Sequence, residues 1–140
     1  MLWVLSFLYF SLFFYIVFLA RRRRHMTDRL TNFKPFSGMI ERYRYLPHEE
    51  SWKTLDFYEN LYGNVLLFLP LPIILLTLFG VRNRWLAFFI CVAVSAGIEL
   101  IQYTLKIGVA DSDDVILNSA GAALGIAIYS LALRIFSKTR

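Results

Sequence analysis

The chain lacks the residues that covalent cross-links and metal centres require. Its 140 residues include one cysteine, Cys91, so an internal disulfide is excluded. The two histidines, His25 and His48, have no cysteine or further histidine at ligand spacing. We therefore expect no metal site and no cofactor. Cys91 lies in an apolar run and is expected to pack as a small apolar residue.

Charge is also scarce, and the long apolar runs are almost free of it. Charged residues make up 18% of the chain, whereas 58% is hydrophobic and 17% is aromatic. The apolar residues form four blocks, each close to the roughly 20 residues that a helix needs to cross a bilayer. The sequence thus predicts an all-α membrane protein, a single unit over 1–140. Its four transmembrane helices form a bundle, with spans at about 2–20, 61–79, 85–105 and 115–136.

The first run is predicted to be an uncleaved span. No basic segment precedes it and no small-residue cleavage pattern follows it, as a signal peptide would need. Arg21–Arg24 come next and suit a flank that stops transfer, although such a block can also bind anionic lipid. The net charge of +5 is accordingly attributed to contacts with membrane lipids and not with nucleic acid.

An amphipathic pattern marks the polar segment that follows. Phe36, Met39, Ile40 and Tyr43 recur at helical spacing, with Pro35 near the first turn. This pattern predicts a short helix lying in the membrane interface between the first two spans.

Two prolines interrupt the second span. Pro70 and Pro72 each remove a backbone donor from its middle, which predicts a kink near Pro70.

Polar residues of different spans are predicted to meet at one membrane face. With four spans, the loops after the first and third spans lie on the same side. Glu99 lies about six residues from the end of its span, so roughly 9 Å below that end. A carboxylate inside a span costs about 2.5–3.5 kcal/mol on insertion scales, so Glu99 needs a proton, a basic partner such as Lys34, Lys106 or Arg21–Arg24, or a watered cavity. The predicted polar cluster comprises Asn64, Glu99, Gln102, Asp111, Asp114 and Asn118.

Small residues continue the polar stripe of the fourth span. Gly121 and Gly125 form a GxxxG pattern that lets a neighbouring helix approach closely. Because Glu99 and Gln102 share one face of the third span, we expect the stripe to pack against that face.

Purely structural roles compete with functional ones at these positions. Asp111 or Ser112 is a suitable N-cap, and Asp113 and Asp114 suit the first turn of a helix. A hard-cation site at Glu99, Asp111 and Asp114 is the weaker alternative, because these oxygen ligands do not have an EF-hand-like spacing.

Four short motifs in this order resemble the VanZ-like family of small membrane proteins. Asn32–Phe36 is similar to the family's Asn-x-x-Pro-Phe, and Asn64–Pro70 to its Asn-x-x-x-Phe-x-Pro. Glu99–Gln102 matches Glu-x-x-Gln, and Asp111–Gly121 matches Asp-x-x-Asp-x-x-x-Asn-x-x-Gly. The loop motif residues are Asn32, Pro35 and Phe36.

The chain departs from the family pattern at two places. Many relatives have Gly where this chain has Pro72. Many also have an Arg shortly before the two aspartates of the last motif, where this chain has the uncharged residues 107–110. If that Arg neutralises an acid in the relatives, another basic residue, such as Lys106 or Lys34, must neutralise the charge of the acid in this chain.

The resemblance implies a multi-pass protein of the bacterial cell membrane, in some members linked to resistance to glycopeptide antibiotics such as teicoplanin. It implies no catalytic mechanism. We expect a non-catalytic protein whose polar cluster binds a lipid or antibiotic head group. The alternatives are a membrane enzyme acting on a lipid-linked substrate and an assembly subunit of a membrane complex. No nucleophile–base pair with recognisable spacing supports the enzyme, so no catalytic residue is assigned.

Two arguments about orientation disagree. Ten basic residues fall on the side of the polar cluster and five on the other side, so the positive-inside rule favours a cytoplasmic cluster with both termini outside. The resemblance favours both termini inside, and we adopt that orientation. It places the cluster on the outer face.

Overall fold

The computed structural model describes residues 2–20, 31–32, 34–36, 39–40, 43–44 and 51–138. Within these ranges four helices are long and apolar enough to cross a membrane: Leu2–Leu19, Phe57–Thr77, Arg84–Leu105 and Ser112–Ser137. The predicted all-α membrane fold with four spans is confirmed. Arg21–Arg24 and both histidines lie outside the described residues.

The first span is a helix that widens towards its end. Helix α1 covers Leu2–Phe14 and continues as a π-helix over Tyr15–Ala20. Most of its side chains are exposed, as expected for residues that face lipid. The Tyr9 hydroxyl, however, donates a 2.8 Å hydrogen bond to the carbonyl of Leu67 on the second span.

The second span is divided at its prolines, as predicted. Helix α2 covers Ser51–Phe68 and helix α3 covers Pro70–Thr77. Leu69 separates them, because Pro70 has no N–H with which to continue the ladder. Helix α2 begins well before residue 61, where the predicted span starts. The aromatic residues Phe57 and Tyr58, which precede that span, are therefore helical.

Helix α4, Arg84–Leu105, has well-defined ends. The Asn83 side chain caps its first turn by accepting hydrogen bonds from the N–H groups of Trp85 and Leu86, at 2.8 and 3.3 Å. Lys106 ends it in a left-handed conformation with φ of 55°. The last helix, α5, covers Ser112–Lys138. It starts three residues earlier than the predicted span, so Asp113 and Asp114 lie in its first turn.

Two short strands connect the loops at one end of the bundle. Strand β1, Thr31–Asn32, pairs in parallel with strand β2, Ala110–Asp111. Since β1 follows the first span and β2 follows the third, both loops lie at the same end, as span counting predicts.

The predicted interfacial helix lies largely outside the described residues. Met39, Ile40, Tyr43 and Arg44 are helical, and the Ile40 N–H donates a 2.8 Å hydrogen bond to the Phe36 carbonyl. The helix as a whole stays a prediction.

The packed centre of the bundle is small. Phe68, Cys91 and Ala122 are almost completely buried and, with Val17, Leu71 and Ile98, form its core. Cys91 is 0% exposed, in the apolar role expected of it.

Candidate functional site

The paired strands bring together Asn32 and Asp111, the first residues of the two motifs that lie in these loops. The Asn32 amide donates to the Asp111 carboxylate at 3.1 Å, and the Ser112 hydroxyl donates to the Asn32 carbonyl at 3.1 Å. The Asp111 carboxylate also accepts from the Asp113 N–H at 2.9 Å, which makes Asp111 an N-cap of α5. One side chain therefore holds both a neighbouring loop and a helix end.

Glu99 reaches out of its span to the same loop. Its carboxylate, in a residue only 8% exposed, accepts a 2.9 Å hydrogen bond from the Asp111 N–H, twelve positions later in the chain. The loop after α4 thus folds back onto the helix that it leaves. This backbone donor replaces some of the water that a buried carboxylate loses. Which basic group balances Glu99 stays a prediction.

Asp114 and Asn64 connect the second and fourth spans. The Asn64 amide donates to the Asp114 carboxylate at 2.7 Å and lies 3.2 Å from the side-chain oxygen of Asn60. Asn64 is 1% exposed, so this polar side chain is enclosed by protein and not by lipid. A buried amide of this kind is stable only where partners surround it.

Asn118 lies one helical turn further into the bundle. Its amide donates a 2.8 Å hydrogen bond to the hydroxyl of Ser95, which is 0% exposed and lies one turn from Glu99 on α4. The Asn118 side-chain oxygen is buried and has no hydrogen-bond partner among the described residues. The Asn118–Ser95 pair therefore links the third and fourth spans while leaving one acceptor unused.

Asp113 is the residue that sequence reasoning missed. It was assigned only to the helix dipole, yet it is 4% exposed and its two carboxylate oxygens accept from the N–H groups of Phe36 and Met39, at 2.6 and 3.3 Å. The signal available in the sequence was that Asp113 lies within the family motif Asp111–Gly121, which occurs together with the loop motif that contains Phe36. A helical pattern alone does not show that an acid in a first turn holds another loop.

Gln102 does not join this hydrogen-bond network. Its amide donates at 3.1 Å to the carbonyl of Val17, which lies in the π-helical part of the first span. A wide π turn offers carbonyls outside the regular ladder, so Gln102 serves as a connection to the first span. Of the six residues in the predicted cluster, Gln102 and Asn118 have their side-chain hydrogen bonds with described residues outside the cluster, Val17 and Ser95.

The two glycines of the stripe pack against the second span and not against the third as predicted, whereas Asn118 of the same stripe contacts Ser95 of the third span. A β-carbon on Gly121 would overlap the carbonyl oxygen of Val65, and one on Gly125 would overlap that of Leu69. Only glycine permits this approach of two backbones.

A small cavity lies beside the network. Its volume is about 20 Å³, enough for a water molecule. It is lined by Met39, Phe57, Asn60, Asp111, Asp113 and Leu117, among others. No group of three or more metal-ligating His, Cys, Asp or Glu side chains occurs in the described part of the chain.

These features define a class: a four-span α-helical membrane protein with a buried polar network that joins its loops at one end. The VanZ/LLP1 family model matches residues 1–134, and the chain belongs to this family. Protein VanZ of Enterococcus faecium is 31% identical over 90 residues, which cover 61% of this chain and 56% of that protein. The chain thus spans about half the length of that curated relative. No solved structure matches.

The family motifs now have physical partners. The loop motif, Asn32–Phe36, binds the acids of Asp111–Gly121 through Asn32 and Phe36. Asn64 binds Asp114, and Glu99 binds the backbone of Asp111. The motifs are distant in sequence but form one connected set of contacts.

Proposed function

We propose that the protein is a non-catalytic membrane protein of the bacterial cell envelope. It binds a lipid or antibiotic head group at the network end of the bundle, and this binding changes susceptibility to glycopeptides such as teicoplanin. The observation that carries the proposal is the network itself, in which Asn32, Asn64, Glu99, Asp111 and Asp114 connect loops and spans at one end. The teicoplanin component derives from the family likeness.

The geometry favours recognition over chemistry. Asp111, Asp113, Asp114 and Glu99 each accept at least one hydrogen bond from a backbone or amide donor, so these carboxylates hold loops in position. A fixed polar surface at a membrane face suits the binding of a polar head group, because its donors and acceptors need no rearrangement. The cavity of about 20 Å³ is too small for a head group, so the bound group would contact the loop surface.

Expression in a susceptible bacterium tests the proposal. We expect teicoplanin susceptibility to fall with the intact chain and to return when Glu99→Ala and Asp114→Ala are combined. Glu59→Ala is the matched control, because Glu59 is an exposed acid at the same end of the bundle. Amounts of membrane-inserted protein must be equal in all strains. Unchanged resistance in the double variant would remove the network from the proposal.

Orientation provides a second test. The proposal needs the network on the outer face, with both termini inside. Single cysteines at Leu2, Arg44, Arg82 and Ser137, four exposed positions, can be introduced into a Cys91→Ala background. A membrane-impermeant thiol reagent applied to whole cells should label only the cysteine at position 44. Labelling at 2, 82 and 137 instead would contradict direct contact with an antibiotic that stays outside the cell.

A further inference from the structure

An exposed apolar edge follows the segment that Asp113 holds. Phe36, Ile40 and Tyr43 are 47%, 51% and 65% exposed, although they are large apolar or aromatic residues. Ile40 and Tyr43 are helical, and the Ile40 N–H donates a 2.8 Å hydrogen bond to the carbonyl of Phe36 in the turn before them. In water such an edge would be unfavourable, so its surroundings need a physical explanation.

The position of this edge relative to the bilayer follows from Asp113. The candidate fourth span begins at Ser112, so Asp113 lies at its boundary. The N–H groups of Phe36 and Met39 lie 2.6 and 3.3 Å from the two carboxylate oxygens of Asp113. A backbone within hydrogen-bond distance of the first turn of a span lies at the level of the head groups.

A row of aromatic rings extends the edge to the second span. Ring centroids are 6.4 Å apart for Tyr43 and Phe57, 5.3 Å for Phe57 and Tyr58, and 5.9 Å for Tyr58 and Tyr62. Tyr58 and Tyr62 are 40% and 59% exposed. Tyrosine rings concentrate at membrane–water interfaces, where the ring contacts acyl chains and the hydroxyl contacts water. Phe57 is itself 7% exposed, so the exposed Tyr43 is joined to the exposed tyrosines of the second span through a buried ring.

Charge indicates which lipid the edge meets. Arg44 is helical and exposed next to Tyr43, and the sequence places Arg42 beside it. Basic residues around an apolar edge attract anionic head groups, with about 1 kcal/mol for each residue near the surface.

We infer that Phe36, Ile40 and Tyr43, which we call the interfacial strap, insert among anionic phospholipids, and that Asp113 is the positioning residue that sets their depth. Phe36 has a φ of 62°, which is unfavourable for a residue with a β-carbon. The hydrogen bond from its N–H to Asp113 holds this conformation and turns the chain into the helical segment. The contact with lipid does not depend on the proposed effect on teicoplanin.

An environment-sensitive fluorophore on Ile40→Cys, in a Cys91→Ala background, tests the inference. The full chain is reconstituted in phosphatidylcholine vesicles with and without phosphatidylglycerol. Thr31→Cys is the matched control, an exposed position in strand β1 outside the apolar edge. We expect nitroxide lipids labelled near the head group to quench the probe at 40 several-fold more than the probe at 31, and phosphatidylglycerol to increase that quenching. Iodide in the water should show the opposite order.

Equal iodide quenching at the two positions would overturn insertion. Quenching at 40 that is independent of phosphatidylglycerol would overturn the anionic preference.

Asp113→Asn should reduce lipid quenching at 40 by about twofold, since an amide cannot accept at both atoms. Glu59→Gln, which removes the charge of an exposed acid, should leave it unchanged. Because Asp113→Asn can also weaken the fold, Tyr43→Ser provides a second variant outside the network, and it should reduce lipid quenching at 40. No change in either variant would contradict the strap.

Discussion

The Asn64 amide donates a 2.7 Å hydrogen bond to the Asp114 carboxylate, across fifty positions of sequence and between two membrane spans. Both residues lie at the same end of the bundle, where the loop strands also pair. This contact connects the second and fourth spans at the depth where Glu99 connects the third span to its own loop. The predictions below examine how far these contacts stabilise the fold.

Loss of the Asn64–Asp114 contact should destabilise the bundle. Asn64→Ala removes a donor to a carboxylate in a buried position, and hydrogen bonds to charged groups contribute about 1.5–3 kcal/mol. A double-mutant cycle with Asp114→Ala, measured by unfolding in mixed detergent micelles, should give a coupling of about 1 kcal/mol. Asn60→Ala should cost less, because the side-chain contact of Asn60 with the described residues is a single one, to the Asn64 amide at 3.2 Å. Additive effects of the two alanines would contradict a direct interaction.

The effect of adding a methyl group can be compared between the two closely packed glycines and a glycine that has free space around it. Gly121→Ala and Gly125→Ala should each destabilise the protein by about 1–3 kcal/mol, because the added methyl group meets a backbone carbonyl of the second span. Gly97→Ala is the control, since a β-carbon there meets nothing within 4 Å. It should be neutral or stabilising by up to about 1 kcal/mol, the difference in helix propensity. Thermal unfolding in one detergent compares the three variants, and equal losses would contradict the observed packing.

The Ser95–Asn118 pair should show a compensating effect. Ser95→Ala leaves the Asn118 amide without its partner, in addition to the side-chain oxygen that already lacks one, and should cost about 1–3 kcal/mol. Combining it with Asn118→Leu removes both polar groups and should recover most of that loss. The measurement is the free energy of unfolding of the two variants. A double variant that is less stable than Ser95→Ala would show that Asn118 has a further partner.

Tyr9 should stabilise the proline break. Tyr9→Phe removes only the hydroxyl that donates to the Leu67 carbonyl, next to the end of α2, and should cost about 0.5–1.5 kcal/mol. Tyr15→Phe is the control, because Tyr15 is 55% exposed on the same span. Thermal unfolding should separate the two variants. If Tyr15→Phe costs as much as Tyr9→Phe, the hydroxyl bond is not the cause.

A single GxxxG pattern in a membrane span suggests contact with a second copy or a partner chain. Here the second span of the same chain covers both Gly121 and Gly125. The assembly-subunit alternative therefore cannot use this face while the fold is intact. Any partner must contact another surface, such as the first span, whose apolar window is only 11% buried.

The number of spans, their approximate limits and the end of the bundle at which the polar residues meet could all be predicted from the amino-acid sequence. These follow from local hydrophobicity and from counting membrane crossings, and neither depends on which helices are neighbours. The break at Leu69 follows equally from local chemistry, because Pro70 lacks its donor in any surroundings.

The partner that each residue contacts could not be predicted in this way, because it depends on how the helices pack. Helical periodicity shows that Gly121 and Asn118 lie on related faces, but the rotation of α5 about its axis determines that glycine meets Val65 while Asn118 meets Ser95. Gln102 and Asp113 found partners far away in sequence, Val17 and Phe36, because buried polar groups pair with the donors and acceptors that packing brings within reach. Such choices depend on the volumes and hydrogen bonds of all the spans together, and a pattern within one span does not contain them.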